Sequence, residues 1–222
     1  MSRGARQRFR GRIAGVGNTS GVRVVVGFWP VSPFGAFADV MVETADGHRV
    51  LLAPSREVAE FVDATYVFDE VRVEPVVIEA SGDAWEVRSP SLRLSLRVGR
   101  RTPLGWLLRA VPRRLAESPA WCAVTDPVAR VVLRGVRTRG TARGGRREWY
   151  GATDTRAVTS VAGSFEGTSL GSLAPVDPPC GFGFSSSPRR PSVTEVVSTV
   201  STVEEKGLVG LRRRSRDSPR SS

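Results

Sequence analysis

The sequence predicts an α+β fold that is mainly β: an antiparallel barrel or a strongly curved sheet with one or two covering helices. Three observations predict it. Short β-rich runs recur along the chain, and several of them alternate apolar and polar residues. The segment FADVMVETADGHRVLLAP contains two such runs with apolar residues on both faces, as in a strand pair buried on both sides. Only two segments have apolar residues at helical spacing, so helices are a minority of the fold.

The strand pattern begins at residues 22–29, VRVVVGFW, and continues in the hairpin FADVMVETADGHRVLLAP. Asp46-Gly47 is a pair favoured in two-residue type I′ turns, which join two antiparallel strands. In that register Val42 faces Leu51.

Two helices are predicted. Ser55 is a suitable N-cap for residues 56–66, where Val58, Phe61 and Val62 recur at helical spacing. The second helical segment is TPLGWLLRAVPRRLAESP, residues 102–119, and we expect it to break at Pro112 because proline disrupts a helix interior.

The remaining strands are shorter or less regular. The clearest amphipathic strand is residues 92–98, where four aliphatic residues alternate with Arg93, Ser95 and Arg97. Other predicted strands are residues 70–74, 128–136, 157–165 and 192–203. The domain organisation that follows is a flexible basic N-terminal arm at 1–13, a single β-dominated domain at 14–203 and a disordered Arg/Ser-rich tail at 204–222.

Charge is unevenly distributed along the chain. The net charge is +11, and residues 97–147 carry thirteen basic side chains against two acidic ones. This basic block is able to bind an anion or to pair with the acidic N-terminal part of the body. The basic ends and the loop RTRGTARGGRR also allow nonspecific contacts with nucleic acid, although no nucleic-acid reader motif accompanies them.

Several chemistries are excluded by residue counts. The chain has one histidine and two widely separated cysteines, so we expect no metal site built on His and Cys and no disulfide framework. Lys206 is the only lysine, which leaves it as the sole candidate for a Schiff base. No phosphate-binding loop motif is present, and we expect no cofactor. No apolar run is long enough for a membrane helix, and no apolar region follows the basic start, so a cytoplasmic protein is predicted.

Two candidate sites remain. On the strand at 128–136, Arg130 and Arg134 share one face and would hold a carboxylate or phosphate. Trp149 and Tyr150 follow the basic loop and would stack on a planar ligand. The alternative is that the arginine face of this strand is only solvated, and that Trp149 and Tyr150 are aromatic anchors of the core.

Asp39 and His48 are the candidate acid–base residues. Asp39 interrupts the apolar stretch FGAFADVMV, where burial would raise its pKa, although an ion pair with an arginine of the basic block is the simpler expectation. His48 is the only side chain with an ordinary pKa near neutrality, and it follows the hairpin turn, where side chains are usually solvated.

The segments GAFADVMVE, GHRVLLAPS, DPVARVVLRGVRTRG and REWYG resemble parts of uncharacterised proteins from GC-rich actinobacteria. The resemblance implies a source and no activity. Lipocalin-like and decarboxylase-like barrels have a suitable size, but no residue motif of this chain ties it to either.

Three functions therefore stay open, and the sequence does not decide whether the protein is an enzyme. The first is a small-molecule binding protein with an apolar cavity and arginines that recognise an acidic group. The second is a metal-independent enzyme that uses a buried carboxylate. The third is a nonspecific binder of nucleic acid or of an acidic partner.

Overall fold

The structure is a computed structural model, and it describes residues 6–116, 118, 121–122, 138–141, 146–183 and 187–201. Within these residues strands account for 55% and helices for 13%, which confirms the predicted mainly β fold.

Thirteen strands and three helices form the described part of the chain. The strands are β1 (Arg6–Asn18), β2 (Arg23–Val31), β3 (Phe37–Glu43), β4 (Arg49–Ala53), β5 (Glu70–Val73), β6 (Val77–Ser81), β7 (Ala84–Arg88), β8 (Leu92–Arg101), β9 (Arg139–Thr141), β10 (Arg147–Phe165), β11 (Thr168–Ser169), β12 (Leu173–Ala174) and β13 (Ser192–Ser201). The helices are α1 (Arg56–Asp63), α2 (Pro103–Ala110) and α3 (Arg113–Ala116).

All the described strands belong to one sheet. Ten of them follow the order β5-β4-β3-β2-β1-β13-β10-β8-β7-β6, while β9 and β11 pair with β10 and β12 pairs with β1. The pairing of β4 with β5 is parallel, and the other described pairs are antiparallel.

The sheet is strongly curled, as its two edges show. β5 ends at Val73 and β6 begins at Val77, yet these strands lie at opposite ends of the sheet order. Four residues of extended chain span at most about 14 Å, so the two edges must approach each other. Arg72 on β5 accordingly donates from Nη1 to Ser91 Oγ in the β7–β8 turn at 3.1 Å. The curved sheet expected from the sequence is confirmed.

The central strands are buried on both faces. One face closes on the main core, where Val16, Val24 and Val40 have no exposed surface and pack with Trp85 and Leu94 from β7 and β8. The opposite face of β1, β2, β3 and β13 meets the helices and a cavity. The two apolar faces that the sequence indicates therefore have different surroundings: one packs in the main core, and the other faces the helices and the cavity.

Both predicted helices form. Ser55 caps α1, and its Oγ accepts from Val58 N at 3.3 Å. Thr102 caps α2, and the helical segment breaks before Pro112, as expected. Among the described residues no helix is long and apolar enough to cross a membrane.

The predicted register of the β3–β4 hairpin is wrong by one residue. Val42 lies opposite Val50, because the loop has three residues, 45–47, instead of two. Gly47 has φ +91° and donates from its N–H to Thr44 O at 3.0 Å. A glycine in this left-handed conformation ends a three-residue hairpin loop, so Asp46-Gly47 indicated a turn but not its length.

Residues 6–13 do not belong to a flexible arm. They form the first half of β1 and pair with β13 on one side and, at several positions, with β2 on the other. Phe9 is 3% exposed and packs on Phe61 at a ring separation of 5.1 Å, while the arginines that alternate with it are exposed. The polar appearance of this segment reflects one solvated strand face. The predicted tail at 204–222 and residues 1–5 lie outside the described residues.

Candidate functional site

A cavity of about 510 Å³ lies on the face of the central strands that is opposite to the main core. Its floor is formed by β1, β2, β3, β10 and β13, and its remaining walls include residues of α1 and α2 together with Tyr66, Cys180, Phe182, Ser187 and Pro188. Volumes of this size are typical of small-molecule sites.

The wall of the cavity is mainly apolar. Its larger apolar and aromatic side chains are Phe9, Ile13, Val25, Trp29, Phe37, Met41, Phe61, Val62, Leu104, Leu107, Leu108, Val111, Trp121, Phe182, Val196 and Val200. An apolar wall favours a ligand that buries hydrocarbon.

The cavity is elongated along β13. Alternate residues of this strand line it from Ser192 through Val196 to Val200. The eight steps along the strand from Ser192 to Val200 extend roughly 26 Å at about 3.3 Å each. The cavity therefore suits a long molecule better than a compact one.

Asp39 is the first of two carboxyl groups in the cavity wall. It is 3% exposed, and Trp29 Nε1–H donates to its Oδ1 at 2.8 Å. Burial raises the pKa of Asp39 from 3.8 to about 7, although the Trp29 hydrogen bond acts in the opposite direction. The expected arginine partner is not found among the described residues, so this carboxyl changes charge near neutral pH.

Gly27 makes the Trp29–Asp39 hydrogen bond possible. It lies between the two side chains, and a Cβ at this position would be 2.3 Å from Asp39 Oδ1 and 2.4 Å from Trp29 Nε1. No side chain larger than hydrogen fits there without displacing one of the partners.

Glu148 is the second carboxyl group, and it belongs to a cluster of hydroxyls. The Tyr66 hydroxyl lies 3.0 Å from Oε1 and 2.9 Å from Oε2 of Glu148, and Ser198 Oγ donates to Oε1 at 2.8 Å. The Tyr66 and Tyr150 hydroxyls are also hydrogen-bonded to each other. Burial raises the pKa of Glu148, and the hydrogen bonds offset this only in part. Burial, together with the nearby Glu148 carboxyl, raises the pKa of both tyrosines well above 10.

Two serine hydroxyls lie at the other end of the cavity. Ser187 Oγ and Ser192 Oγ are buried and have no hydrogen-bond partner within the described part of the chain. Buried hydroxyls are usually hydrogen-bonded, so a polar group of a ligand would complete these two.

A buried ion pair holds the segment that carries Cys180 and Phe182 over the cavity. Arg23 Nη2 and Glu43 Oε1 are 2.9 Å apart, and Glu43 Oε2 accepts from Gly181 N at 2.7 Å. Val67 N donates to Phe182 O at 2.7 Å. The segment is therefore attached through its backbone, by Gly181 N to the Glu43 carboxylate and by Phe182 O to Val67 N.

A second ion pair attaches α2. Arg101 donates to both carboxylate oxygens of Asp154 at 2.8 and 2.9 Å, and Thr102 N donates to Thr155 O at 3.1 Å. Burial by itself raises the pKa of Asp154, but the Arg101 hydrogen bonds outweigh it and the pKa is lowered. These contacts place Leu104 and Leu108 against the cavity.

The structure brings two of the predicted site residues together. Asp39 and Tyr150 both line the cavity, and Asp39 is close enough for its charge to raise the pKa of Tyr150. Trp149 is not one of the described lining residues, because neighbouring side chains of a strand point to opposite faces. Arg130 and Arg134 lie outside the described residues.

His48 does not lie at the cavity. Its side chain is 45% exposed, and Nε2 lies 3.3 Å from Glu70 Oε2 on the surface. The structure thus places it in the solvated turn that the sequence favoured.

Sequence reasoning missed Glu148 and Tyr66. Glu148 shares a strand face with Tyr150 by the two-residue period, and this signal was present in REWYG. Tyr66 follows α1, and nothing in its local sequence indicates that it meets Glu148 82 residues later.

Metal ligands do not cluster in the described part of the chain: no group of three or more His, Cys, Asp or Glu side chains is placed to hold a metal ion. Cys122 and Cys180 are both buried thiols, and Cys180 lines the cavity.

No protein-family model and no curated protein matches the chain. The solved structures include a match to the crystal structure of acetoacetate decarboxylase from Legionella pneumophila subsp. pneumophila str. Philadelphia 1. It has a TM-score of 0.39 and 8% identity, and it covers 90% of this chain and 84% of that chain. A match at this level carries no argument about activity, and the resemblance to actinobacterial proteins stays a prediction.

Proposed function

We propose that this chain is a small-molecule binding protein whose ligand is a long, mainly apolar molecule with one neutral polar group. The observation that carries the proposal is the elongated cavity of about 510 Å³ with an apolar wall and buried polar groups. Each methylene group transferred from water into such a wall contributes about 0.8 kcal/mol.

The carboxyl groups support a neutral polar group on the ligand. Burial raises the pKa of Glu148 and raises that of Asp39 to about 7, so near neutral pH the protonated Asp39 carboxyl is available to donate a hydrogen bond. An anionic ligand would be repelled by either group in its ionised form. An alcohol or a carbonyl compound carries no charge and is not repelled by either carboxylate.

The sequence predicts instead that Arg130 and Arg134 recognise an acidic group. Within the described residues the cavity wall contains carboxyls and hydroxyls but no arginine side chain. Recognition by Arg130 and Arg134 therefore stays a prediction, and the experiment below separates it from the proposal.

Binding is tested with N-phenyl-1-naphthylamine, a neutral apolar dye that fluoresces in apolar surroundings. The dye should bind to the purified protein, and a ten-carbon alcohol should displace it better than the ten-carbon carboxylate does. If the carboxylate is preferred and Arg134→Ala abolishes that preference, the arginine-based prediction is correct and the neutral ligand is wrong.

A pair of variants on β10 shows whether the dye occupies the cavity. Ala152 lines the cavity and Ser160 is exposed on the same strand. Ala152→Trp should weaken dye binding at least about tenfold by filling the cavity, and Ser160→Trp should leave it unchanged. A folded Ala152→Trp variant that binds like the wild type would show that the ligand does not lie in this cavity.

A further inference from the structure

The hydroxyl side chains of the described cavity wall fall into two groups. Those that have a hydrogen-bond partner within the protein are Thr65, Tyr66, Thr138, Tyr150, Thr155, Thr194 and Ser198. The two that remain are Ser187 and Ser192, whose Oγ atoms are buried and have no partner in the part of the chain that the structure describes. A buried hydroxyl without a partner costs stability, so a pair of them in one cavity wall indicates a contact that a ligand supplies.

Ser187 and Ser192 lie side by side, because both border Gly15. Ser192 is 5% exposed and lies directly opposite Gly15 in the β1–β13 pair. Residues opposite each other in an antiparallel pair project to the same face, with Cβ atoms about 5 Å apart. Ser187 fills the place of a side chain at position 15, where a Cβ would be 2.3 Å from Ser187 Cβ and 2.5 Å from its Oγ. The two hydroxyls therefore share one end of the cavity without being hydrogen-bonded to each other.

A carbonyl oxygen suits this pair of hydroxyls. Each serine has one proton to donate, and a carbonyl oxygen has two lone pairs, so a single oxygen atom accepts from both. An alcohol accepts from both serines only by leaving its own proton without an acceptor in this group. A carboxylate would accept too, but it is charged, and the described cavity wall contains no arginine to compensate it. The pair therefore favours a neutral carbonyl compound.

We propose that Ser187 and Ser192 form the subsite for the polar group of the ligand, and that this group is the carbonyl oxygen of a long-chain ketone, aldehyde or ester. Each serine hydroxyl donates one hydrogen bond to that oxygen. The hydrocarbon chain lies along β13 toward Val196 and Val200, which line the cavity on the same strand face as Ser192. The inference rests on the proposed function, because it assigns the polar group of the ligand that binds in the same cavity.

Decan-2-one and decan-2-ol are the test ligands, because they share one carbon skeleton and differ only in the oxygen group. The ketone should displace the dye from the wild type more strongly than the alcohol does. Ser187→Ala and Ser192→Ala should each weaken ketone binding about threefold, and the double variant about tenfold or more, because each removes one hydrogen bond. The affinity for the dye, which has no carbonyl group, should not fall. Ser160→Ala removes an exposed hydroxyl on β10 and should change neither affinity.

The infrared band of the bound ketone reports the hydrogen bonds directly. Hydrogen bonds to a carbonyl oxygen lower the stretching frequency of the C=O bond. Decan-2-one with an isotope label at the carbonyl carbon should therefore show a lower frequency in the wild-type protein than in hydrocarbon solvent. The double variant, at ketone concentrations that still fill the cavity, should return the band toward the hydrocarbon value. A band at the hydrocarbon position in the wild type would overturn the inference.

The stability of the protein without ligand gives a further test. Ser192→Ala should not lower the melting temperature, because within the described residues its hydroxyl has no partner to lose. Ser198→Ala lies on the same face of β13 and should lower it, because Ser198 Oγ donates to Glu148 Oε1 at 2.8 Å. Equal losses in the two variants would show that Ser192 has a structural partner, and the inference would be wrong.

Dye displacement separates this inference from the proposed function. If the ketone displaces the dye equally well from the wild type and the double serine variant, the subsite is wrong and the proposed function stands. The same holds if Asp39→Asn, and not the serine variants, removes the preference for the ketone. If decan-2-ol binds better than decan-2-one, the carbonyl class is wrong. If the dye itself does not bind, both proposals fall.

Discussion

Asp39 and Glu43 lie four residues apart on β3, yet their carboxyls meet opposite surroundings. Glu43 is paired with Arg23 at 2.9 Å and also accepts from Gly181 N. Asp39 accepts from Trp29 in an apolar wall, and its pKa is raised to about 7. At high pH the ionised Asp39 carboxylate therefore lowers the stability of the fold, whereas the charge of Glu43 is compensated by Arg23.

The first prediction is that the burial of Asp39 makes the protein less stable as the pH rises. Between pH 3.8 and about 7 the native chain holds a proton on Asp39 that the unfolded chain has lost, so unfolding releases a proton. The free energy of unfolding therefore falls as pH rises through this window, by on the order of 4 kcal/mol at about 1.36 kcal/mol for each pH unit. Asp39→Asn should remove this fall.

Chemical denaturation of the wild type and Asp39→Asn at about pH 4 and about pH 8 measures this fall in the free energy of unfolding. The variant should gain stability relative to the wild type at the higher pH. An unchanged difference between the two proteins at both pH values would mean that Asp39 ionises as it does in water.

Gly27 supports the second prediction. Gly27→Ala should displace the Trp29–Asp39 hydrogen bond, because the new Cβ would lie 2.3 Å from Oδ1. We expect a loss of about 1–3 kcal/mol in denaturant unfolding. Gly181→Ala is the control, since its Cβ would make only ordinary contacts of 3.7 and 3.8 Å with Glu43. Equal losses in both variants would contradict the specific role of Gly27.

Helix α2 covers the cavity but is attached mainly at its N-terminal end. Thr102 caps the helix by accepting from Gly105 N at 3.0 Å, and Arg101 precedes it with two bonds to Asp154. Farther along, Trp106 and Leu107 are 63% and 66% exposed. Stability of this wall should therefore depend on the Arg101–Asp154 pair.

The third prediction follows from that attachment. Arg101→Leu should cost about 2 kcal/mol or more, because it leaves the buried Asp154 carboxylate with only Arg109, whose Nη1 lies 4.0 Å away, and it should also weaken dye binding. The lowered pKa of Asp154 contributes stability above its unfolded pKa that is lost as pH falls, so the cost should shrink in acid.

The matched control is Arg97→Leu, whose partner Asp83 lies 3.6 Å away in an exposed pair and should contribute at most about 0.5 kcal/mol. Thermal or denaturant unfolding near neutral and acid pH compares the two variants. Similar small losses would show that Arg101 does not anchor α2.

At the scale of the whole molecule, β1 joins the two halves of the sheet. It pairs with β2 on one side and β13 on the other, and Arg6 lies opposite Ser201. The pairing brings together segments from the two ends of the described chain. The sheet therefore completes only when distant parts of the sequence have met.

The fourth prediction is that residues 1–13 are not removable. Their deletion should abolish folding, because it takes away the half of β1 that carries Phe9 and much of the pairing with β13. Deletion of residues 1–5 leaves all the described pairs of β1 and should be tolerated. Circular dichroism and size-exclusion chromatography report the outcome. A folded 1–13 deletion with an unchanged melting temperature would contradict the central place of β1.

Local signals in the sequence determined the fold class and several elements. The alternation in residues 92–98, the Ser55 cap and the break at Pro112 each act within a few residues of chain, and each is found in the structure. Asp39 was recognisable as a candidate because one carboxyl interrupts an apolar strand. These features depend on periodicity and capping, which a single sequence displays.

Only the tertiary structure decided the pairing of β1, the edge position of β5 and the composition of the cavity wall. Tyr66 and Glu148 meet across 82 residues, and Asp39 lacks an arginine partner among the described residues although the chain is rich in arginine. Such contacts depend on the curl of the sheet and on the order of its strands. Neither is encoded in the spacing of neighbouring residues, because each arises when strands distant in sequence share hydrogen bonds.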